Sequence, residues 1–236
     1  MKGDYWFVMA YLGLLIIAPL MNAFIEKASK KQMLVFLLCF YIFQTLYGWV
    51  IFSADFIMKG YSTFSFMGLY MLGRYVRLYP SQYTGLNSLK CLGVYFLINI
   101  FLTIISVLLI VCEQTYYLQK LVVSYVSPFT ILASLYLLLA FTKMRFYSKI
   151  INWIAVSSFA VYLLHCNRYV FDEYSSLCRY MYQEYSGIVY MILMFLILSA
   201  VFLLAVLIDR IRIFFWGHLE AVVLRVRDRS NFLKGC

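Results

Sequence analysis

Residues 186–208 have the sequence SGIVYMILMFLILSAVFLLAVLI, an apolar stretch without a charged side chain. A helix of about 20 such residues crosses the roughly 30 Å hydrocarbon core of a bilayer. The whole chain of 236 residues shares this character, because it is 65% hydrophobic and 13% charged, with a mean hydropathy of +0.86. A soluble protein of this size cannot bury so much apolar surface. Three prolines and eleven glycines are too few for the turns of a transmembrane β-barrel. The composition therefore predicts an all-α, polytopic transmembrane helix bundle.

Further apolar stretches recur along the chain, separated by short polar connections. They predict one membrane-embedded domain over residues 1–208. Residues 209–236 follow as a basic, amphipathic tail, which we expect to lie along the inner leaflet with its arginines near anionic lipid. The alternative is a helix that binds a partner protein. The predicted spans are 5–25, 32–54, 62–80, 91–112, 121–142, 148–166 and 186–208.

The basic residues are unevenly divided between the two ends of these spans. Fifteen of the twenty Lys and Arg residues fall in alternate connections and in the tail. By the positive-inside rule, that side is cytoplasmic. The N-terminus is then outside and the C-terminus inside, and no signal-peptide pattern precedes the first span. This rule also accounts for the net charge of +10, so the expected partner is the lipid bilayer and no nucleic-acid partner is expected.

The six cysteines form no Cys-x-x-Cys pair, and no zinc-ligand spacing occurs. Most of them lie inside apolar stretches, where cysteine acts as a small hydrophobic residue. We therefore predict no metal site and no disulfide framework.

Two arginines lie inside the third predicted span. Arg74 and Arg77 are three residues apart, so they share one face of a helix near its cytoplasmic end. Two guanidinium groups at this depth can bind the phosphates of a cytosolic donor or of a lipid diphosphate. The alternative is that both side chains extend to the inner headgroups without binding a ligand.

A polar stripe is predicted on the sixth span. Ser158, Tyr162 and His165 are spaced i, i+4 and i+7, which places them on one helical face. Such a stripe can bind a hydroxyl-rich acceptor or relay a proton. The alternative is an interhelical hydrogen-bond seam that only packs the bundle. Asp172 and Glu173 follow in a segment that we predict to be a solvated external loop; the alternative is that they act as acid/base groups.

Four more polar side chains lie within the apolar stretches. We interpret them as interhelical hydrogen-bonding groups, each contributing about 1 kcal/mol or less. Two of them are four residues apart on the fourth span and share one seam. The four are Asn22, Gln44, Asn99 and Thr103.

Three segments of the chain contain recognisable motifs, in order. The first contains YWF, YLGL and APLMN within residues 5–22; the second contains GYS and LYMLGRYVRL within 60–78; the third is SSFAVYLLH at 157–165. Together they resemble the acyltransferase 3 family of bacterial integral-membrane O-acyltransferases. The resemblance covers roughly residues 5–208. It implies a bundle of ten helices in the cytoplasmic (inner) membrane. This bundle would transfer an acyl group, usually acetyl from acetyl-CoA, to a hydroxyl of an extracytoplasmic carbohydrate, without a bound cofactor.

The resemblance also implies that three helices precede the matched part. The family's catalytic histidine and its Arg-x-x-Arg motif lie on those upstream helices, so no catalytic residue is assigned within this chain. The N-out topology agrees with a chain that contains the last seven of ten helices. On this hypothesis, Arg77 and Arg74 contact the acyl donor. The acceptor passage is lined by Ser158, Tyr162 and His165.

Two other functions remain open. A truncated family member without the histidine would be inactive and would act as a membrane-bound binding or export module. Seven spans with an external N-terminus are also the topology of receptors and retinal proteins. However, residues 186–208 contain no lysine for a Schiff base.

Overall fold

The computed structural model describes residues 5–51, 56–114, 116–117, 122 and 124–234, with the backbone alone at Met58 and at 221–234. These residues are predominantly helical and contain no strand, which confirms the predicted all-α class. The helices are α1 Trp6–Lys27, α2 Lys30–Gln44 continued by a π-helical segment Thr45–Val50, α3 Thr63–Leu78, α4 Ser88–Val111, α5 Pro128–Lys143, α6 Lys149–Ala155, α7 Ser158–His165, α8 Arg168–Glu184 and α9 Gly187–Lys234; a 3-10 turn Met58–Gly60 precedes α3.

Polar caps mark several helix starts. Ser29 and Gln32 form a reciprocal capping box at α2, which satisfies backbone N–H groups that have no helical partner. Asn87 accepts from the Lys90 N–H at 2.9 Å at the start of α4. Pro128 occupies the first turn of α5, where its missing N–H costs nothing.

Four of these helical segments are long and apolar enough to cross a membrane. They are α1, α2 with its π-helical continuation, α4 and the part of α9 up to Glu220. Helix α5 is apolar but has 16 residues, as does α3, which carries the two arginines. The membrane character of the chain is thus supported, while the number of seven spans stays a prediction.

The sixth predicted span, 148–166, is wrong as a single helix. The chain there forms α6 and α7, with a break at Val156 and Ser157. Ser157 is fully buried and lies beside the Asp209 carboxylate, so the backbone turns where a buried polar pair is formed. The predicted loop after His165 is also wrong, because residues 168–184 form α8.

The predicted tail at 209–236 continues the helix of the last span. Helix α9 passes through positions 208 and 209 without interruption. The boundary between the membrane domain and the tail is therefore not marked by a change of backbone, and it stays a prediction.

The chain divides into two compact units, Met1–Arg145 and Phe146–Cys236. In the first unit, α3 packs against α1 and α2, and α4 packs against α5. The core between α1, α2 and α3 includes Leu14, Met21, Met33, Leu37 and Met71. In the second unit, α7 packs against α9 through Val161, Ala205 and Val206.

Two glycines allow the helices of the first unit to approach closely. A Cβ atom at Gly13 would overlap the side chain of Thr63, and a Cβ atom at Gly68 would overlap the ring of Phe40. The Thr63 hydroxyl donates to the Ala10 carbonyl at 3.4 Å across the first of these contacts. Small residues at helix contacts are typical of membrane bundles.

Candidate functional site

Helix α3 places Arg74 and Arg77 one turn apart at its C-terminal end. The Arg77 side chain is exposed, whereas Arg74 is half-buried. The Nε atom of Arg74 is buried and has no hydrogen-bond partner in the part of the chain that the structure describes. The two side chains therefore differ in environment, although they share the helical face that the sequence predicts.

A cavity of about 420 Å³ lies between α3 and α5. Arg77 and Thr142, the penultimate residues of these helices, are the residues of its lining with polar side chains, and the others are apolar or glycine. The apolar residues precede them along both helices. The cavity thus has a polar end where α3 and α5 terminate and an apolar interior. Its lining residues are Gly73, Val76, Arg77, Leu135, Leu138, Leu139 and Thr142.

Arg77 is the cationic residue that lines this cavity, whereas the neighbouring Lys143 forms hydrogen bonds with the backbone after α3. The Lys143 ammonium group donates to the backbone carbonyls of Thr84 and Leu86, so it fixes the connection that follows α3. Arg74 does not line the cavity. The structure therefore brings one of the two predicted donor-contact residues to a cavity and leaves the other one turn away.

A second cavity, of about 310 Å³, lies between α4 and α5. The Asn99 amide donates to the Tyr95 carbonyl and the Thr103 hydroxyl to the Asn99 carbonyl, each at 2.8 Å. These bonds are within α4, so the prediction that Asn99 and Thr103 hydrogen-bond across helices is wrong; helical side chains satisfy themselves locally. The polar side chains around this cavity are Tyr95, Asn99, Thr103, Ser106, Thr130 and Ser134.

The other two predicted interhelical groups, Asn22 and Gln44, differ in whether they form a hydrogen bond. The Tyr70 hydroxyl donates to Asn22 Oδ1 at 2.6 Å, which confirms an interhelical bond between α1 and α3. Gln44 is buried at the end of α2, but its Oε1 atom has no hydrogen-bond partner among the described residues.

The predicted polar stripe lies on α7, so its helical spacing is confirmed. The Ser158 hydroxyl is exposed and donates to the Ala155 carbonyl at 2.8 Å. Tyr162 is half-buried, and its ring stacks on Phe159 with 6.3 Å between centroids. The three residues share a helix, but their roles as acceptor contacts stay predictions.

The imidazole of His165 forms a local bond. Its Nδ1 lies 2.8 Å from the Val161 carbonyl, so in the neutral ring Nδ1 carries the proton and Nε2 is the free acceptor. His218 on α9 has the same arrangement with the Phe214 carbonyl, also at 2.8 Å. The bond is therefore what a helical histidine forms by itself and is not a sign of catalysis.

Sequence analysis missed a buried polar cluster in the second unit. Asp209 on α9 is 2% exposed, and its Oδ1 accepts from Arg212 Nε at 2.7 Å. The fully buried Ser157 hydroxyl lies beside this carboxylate. The Arg210 guanidinium lies over the Trp153 ring, with 4.5 Å from Cζ to the ring centroid. The available signal was the acidic residue directly after the apolar stretch 186–208, since an ionisable residue next to a membrane span often has a specific partner.

No group of three or more His, Cys, Asp or Glu residues that could hold a metal ion occurs within the described residues. Comparison with protein-family models, with curated proteins and with solved structures finds no match to this chain.

Proposed function

We propose that this chain is the acyl-donor-binding part of a membrane O-acyltransferase. The donor is acetyl-CoA or another acyl-CoA, and the acceptor is a hydroxyl of a cell-surface or exported carbohydrate. The observation that carries the proposal is the cavity between α3 and α5, which combines Arg77 at its polar end with an apolar interior. The resemblance of residues 5–22, 60–78 and 157–165 to O-acyltransferases gives the reaction.

The cavity suits a ligand with an anionic head and a less polar arm. Acyl-CoA has this form, because its phosphates are joined to a long pantetheine arm that ends in the acyl thioester. A guanidinium group binds phosphate through paired N–H donors, and it does so more strongly next to an apolar wall than in open water. Arg77 would hold a phosphate at the mouth, while the arm extends along Val76, Leu135 and Leu138.

The transfer itself requires a general base, and we assign this role to no residue of this chain. The base takes the proton of the acceptor hydroxyl as its oxygen forms a bond to the acyl carbon. The carbon–sulfur bond then breaks, and the CoA thiolate leaves and takes up a proton. His165 has a free Nε2 acceptor, and with Ser158 and Tyr162 it is our candidate for contact with the acceptor.

A second candidate function is donor binding without catalysis. It is favoured by the positions of the histidines: His165 and His218 both bond to the carbonyl of their own preceding helical turn, and neither lines the cavity. In that case the chain is a membrane module that binds an acyl donor for a catalytic group located elsewhere, or that takes part in export.

The experiment is equilibrium binding of radiolabelled acetyl-CoA to the chain in lipid nanodiscs. We expect Arg77→Ala to weaken binding about tenfold, because it removes a charge-assisted contact. Arg145→Ala is the matched control, since Arg145 is exposed just beyond α5 and does not line the cavity. Gly73→Leu should also weaken binding, because a side chain there extends into open space beside the cavity. Gly93→Leu is its control and should leave binding unchanged, because that side chain also extends into open space but on α4.

Measuring the release of free CoA distinguishes the transferase from the binding module. Thiol release from the chain in the presence of an acceptor carbohydrate supports the transferase, while tight binding without release supports the binding module. Equal binding by the Arg77→Ala and Arg145→Ala variants would contradict both.

A further inference from the structure

The buried cluster of the second unit contains hydrogen-bond donors that the described protein does not use. Arg210 Nε and Nη2 are buried and have no partner among the described residues. Asp209 attracts Arg210 electrostatically, but its Oδ1 accepts from Arg212 Nε at 2.7 Å, and its buried Oδ2 forms no hydrogen bond with Arg210 or with any other described residue. Buried guanidinium donors are expensive to leave unpaired, so this arrangement indicates an anionic partner.

Two further features of the cluster favour an anionic ligand at Arg210. The Arg210 Cζ atom lies over the Trp153 ring, 4.5 Å from its centroid, and this contact holds the guanidinium group in place. With Arg210 and Arg212 against Asp209, the cluster carries one net positive charge. An incoming anion would therefore neutralise it.

The depth of the cluster selects the kind of anion. The uncharged stretch 187–208 is about 33 Å long at 1.5 Å per residue, which matches the hydrocarbon thickness. Asp209, Arg210 and Arg212 follow directly, so they lie at the level of the lipid headgroups when α9 spans the bilayer. Tryptophan is enriched at the same level, where Trp153 would lie. The anion available at this depth is the phosphate of a lipid.

We propose that Arg210, with Trp153, forms a binding site for the phosphate of an anionic phospholipid headgroup. Arg210 Nε and Nη2 donate to two phosphate oxygens, and Trp153 fixes the guanidinium orientation. Asp209 and Arg212 pair with each other and keep the second arginine from competing for the lipid. The site is independent of the acyl-donor cavity, which belongs to the first unit.

The test is lipid retention measured by native mass spectrometry on the whole chain, taken from nanodiscs of mixed phosphatidylglycerol and phosphatidylcholine. We expect phosphatidylglycerol to be retained preferentially and Arg210→Ala to reduce its retention about tenfold. Arg179→Ala is the matched control, because Arg179 is an exposed arginine on α8 of the same unit. Arg210→Lys should restore less than half of the retention, since an ammonium group keeps the charge but lacks the paired donors.

The outcomes are distinct. Equal retention by the Arg210→Ala and Arg179→Ala variants would overturn the site. Displacement of phosphatidylglycerol by millimolar inorganic phosphate would overturn the headgroup assignment and leave a site for free phosphate. If Arg210→Ala does not fold, as judged by circular dichroism and gel filtration, Trp153→Leu serves instead. Retention that this variant leaves unchanged would likewise overturn the site, whereas a severalfold reduction supports it.

Discussion

The two compact units of this chain bury different kinds of side chain. In the first unit, α1, α2 and α3 enclose apolar residues such as Met33 and Met71, and the helices touch at Gly13 and Gly68. In the second unit, the apolar core of α7 and α9 is small, and beside it lie a buried carboxylate and a buried hydroxyl. Close apolar packing thus joins the helices of the first unit, whereas the second unit adds a buried carboxylate and a buried hydroxyl to a small apolar core.

The same contrast applies to the arginines. Arg77 lines a cavity to which no acidic residue contributes within the described part of the chain. Arg210 lies beside Asp209, which offsets part of its charge. We therefore expect the first site to bind a large, multiply charged ligand and the second to bind a single phosphate group.

The largest expected effect is in the close packing of the first unit. Gly68→Leu should lower the free energy of unfolding by about 3 kcal/mol, because its side chain overlaps the Phe40 ring and forces α2 and α3 apart. The measurement is unfolding by sodium dodecyl sulfate in mixed micelles. Gly93→Leu is the control, since that position on α4 is exposed and open. Equal stability of the two variants would show that α2 and α3 do not approach as described.

How far the sequence predicts this structure depends on the kind of contact. Apolar composition predicts the helical membrane class, and the spacing of Arg74 and Arg77 places both on one helical face. The break at Ser157 was missed because the count of apolar residues is the same for one long helix and for two short ones. The two polar partners, Ser157 and Asp209, come from distant parts of the chain, so no local pattern joins them. Helix α8 was missed because it is polar enough to resemble a loop, although Val170, Tyr174, Leu177 and Met181 recur at helical spacing.

A smaller effect is expected for the polar pair of the second unit. Asp209→Asn should lower the free energy of unfolding by about 1.5 kcal/mol. The hydrogen bond from Arg212 then ends on a neutral amide, and Arg210 and Arg212 lose the negative charge that offsets their repulsion. The same detergent unfolding assay measures it. Glu173→Gln removes an exposed acidic group from α8 in the same unit and should have no effect. A stabilising Asp209→Asn substitution would contradict a stabilising role for this carboxylate.

The smallest expected effect concerns the hydrogen bond between α1 and α3. Tyr70→Phe should cost about 1 kcal/mol, since it removes the 2.6 Å bond to Asn22 Oδ1 and leaves the ring in place. Tyr83→Phe is the control, because that tyrosine is exposed in the connection after α3. A double-mutant cycle with Asn22→Ala isolates the bond: once Asn22 is absent, Tyr70→Phe should cost almost nothing. If Tyr70→Phe costs the same with and without Asn22, packing alone determines how α1 meets α3, and the contrast between the two units becomes sharper than the structure indicates.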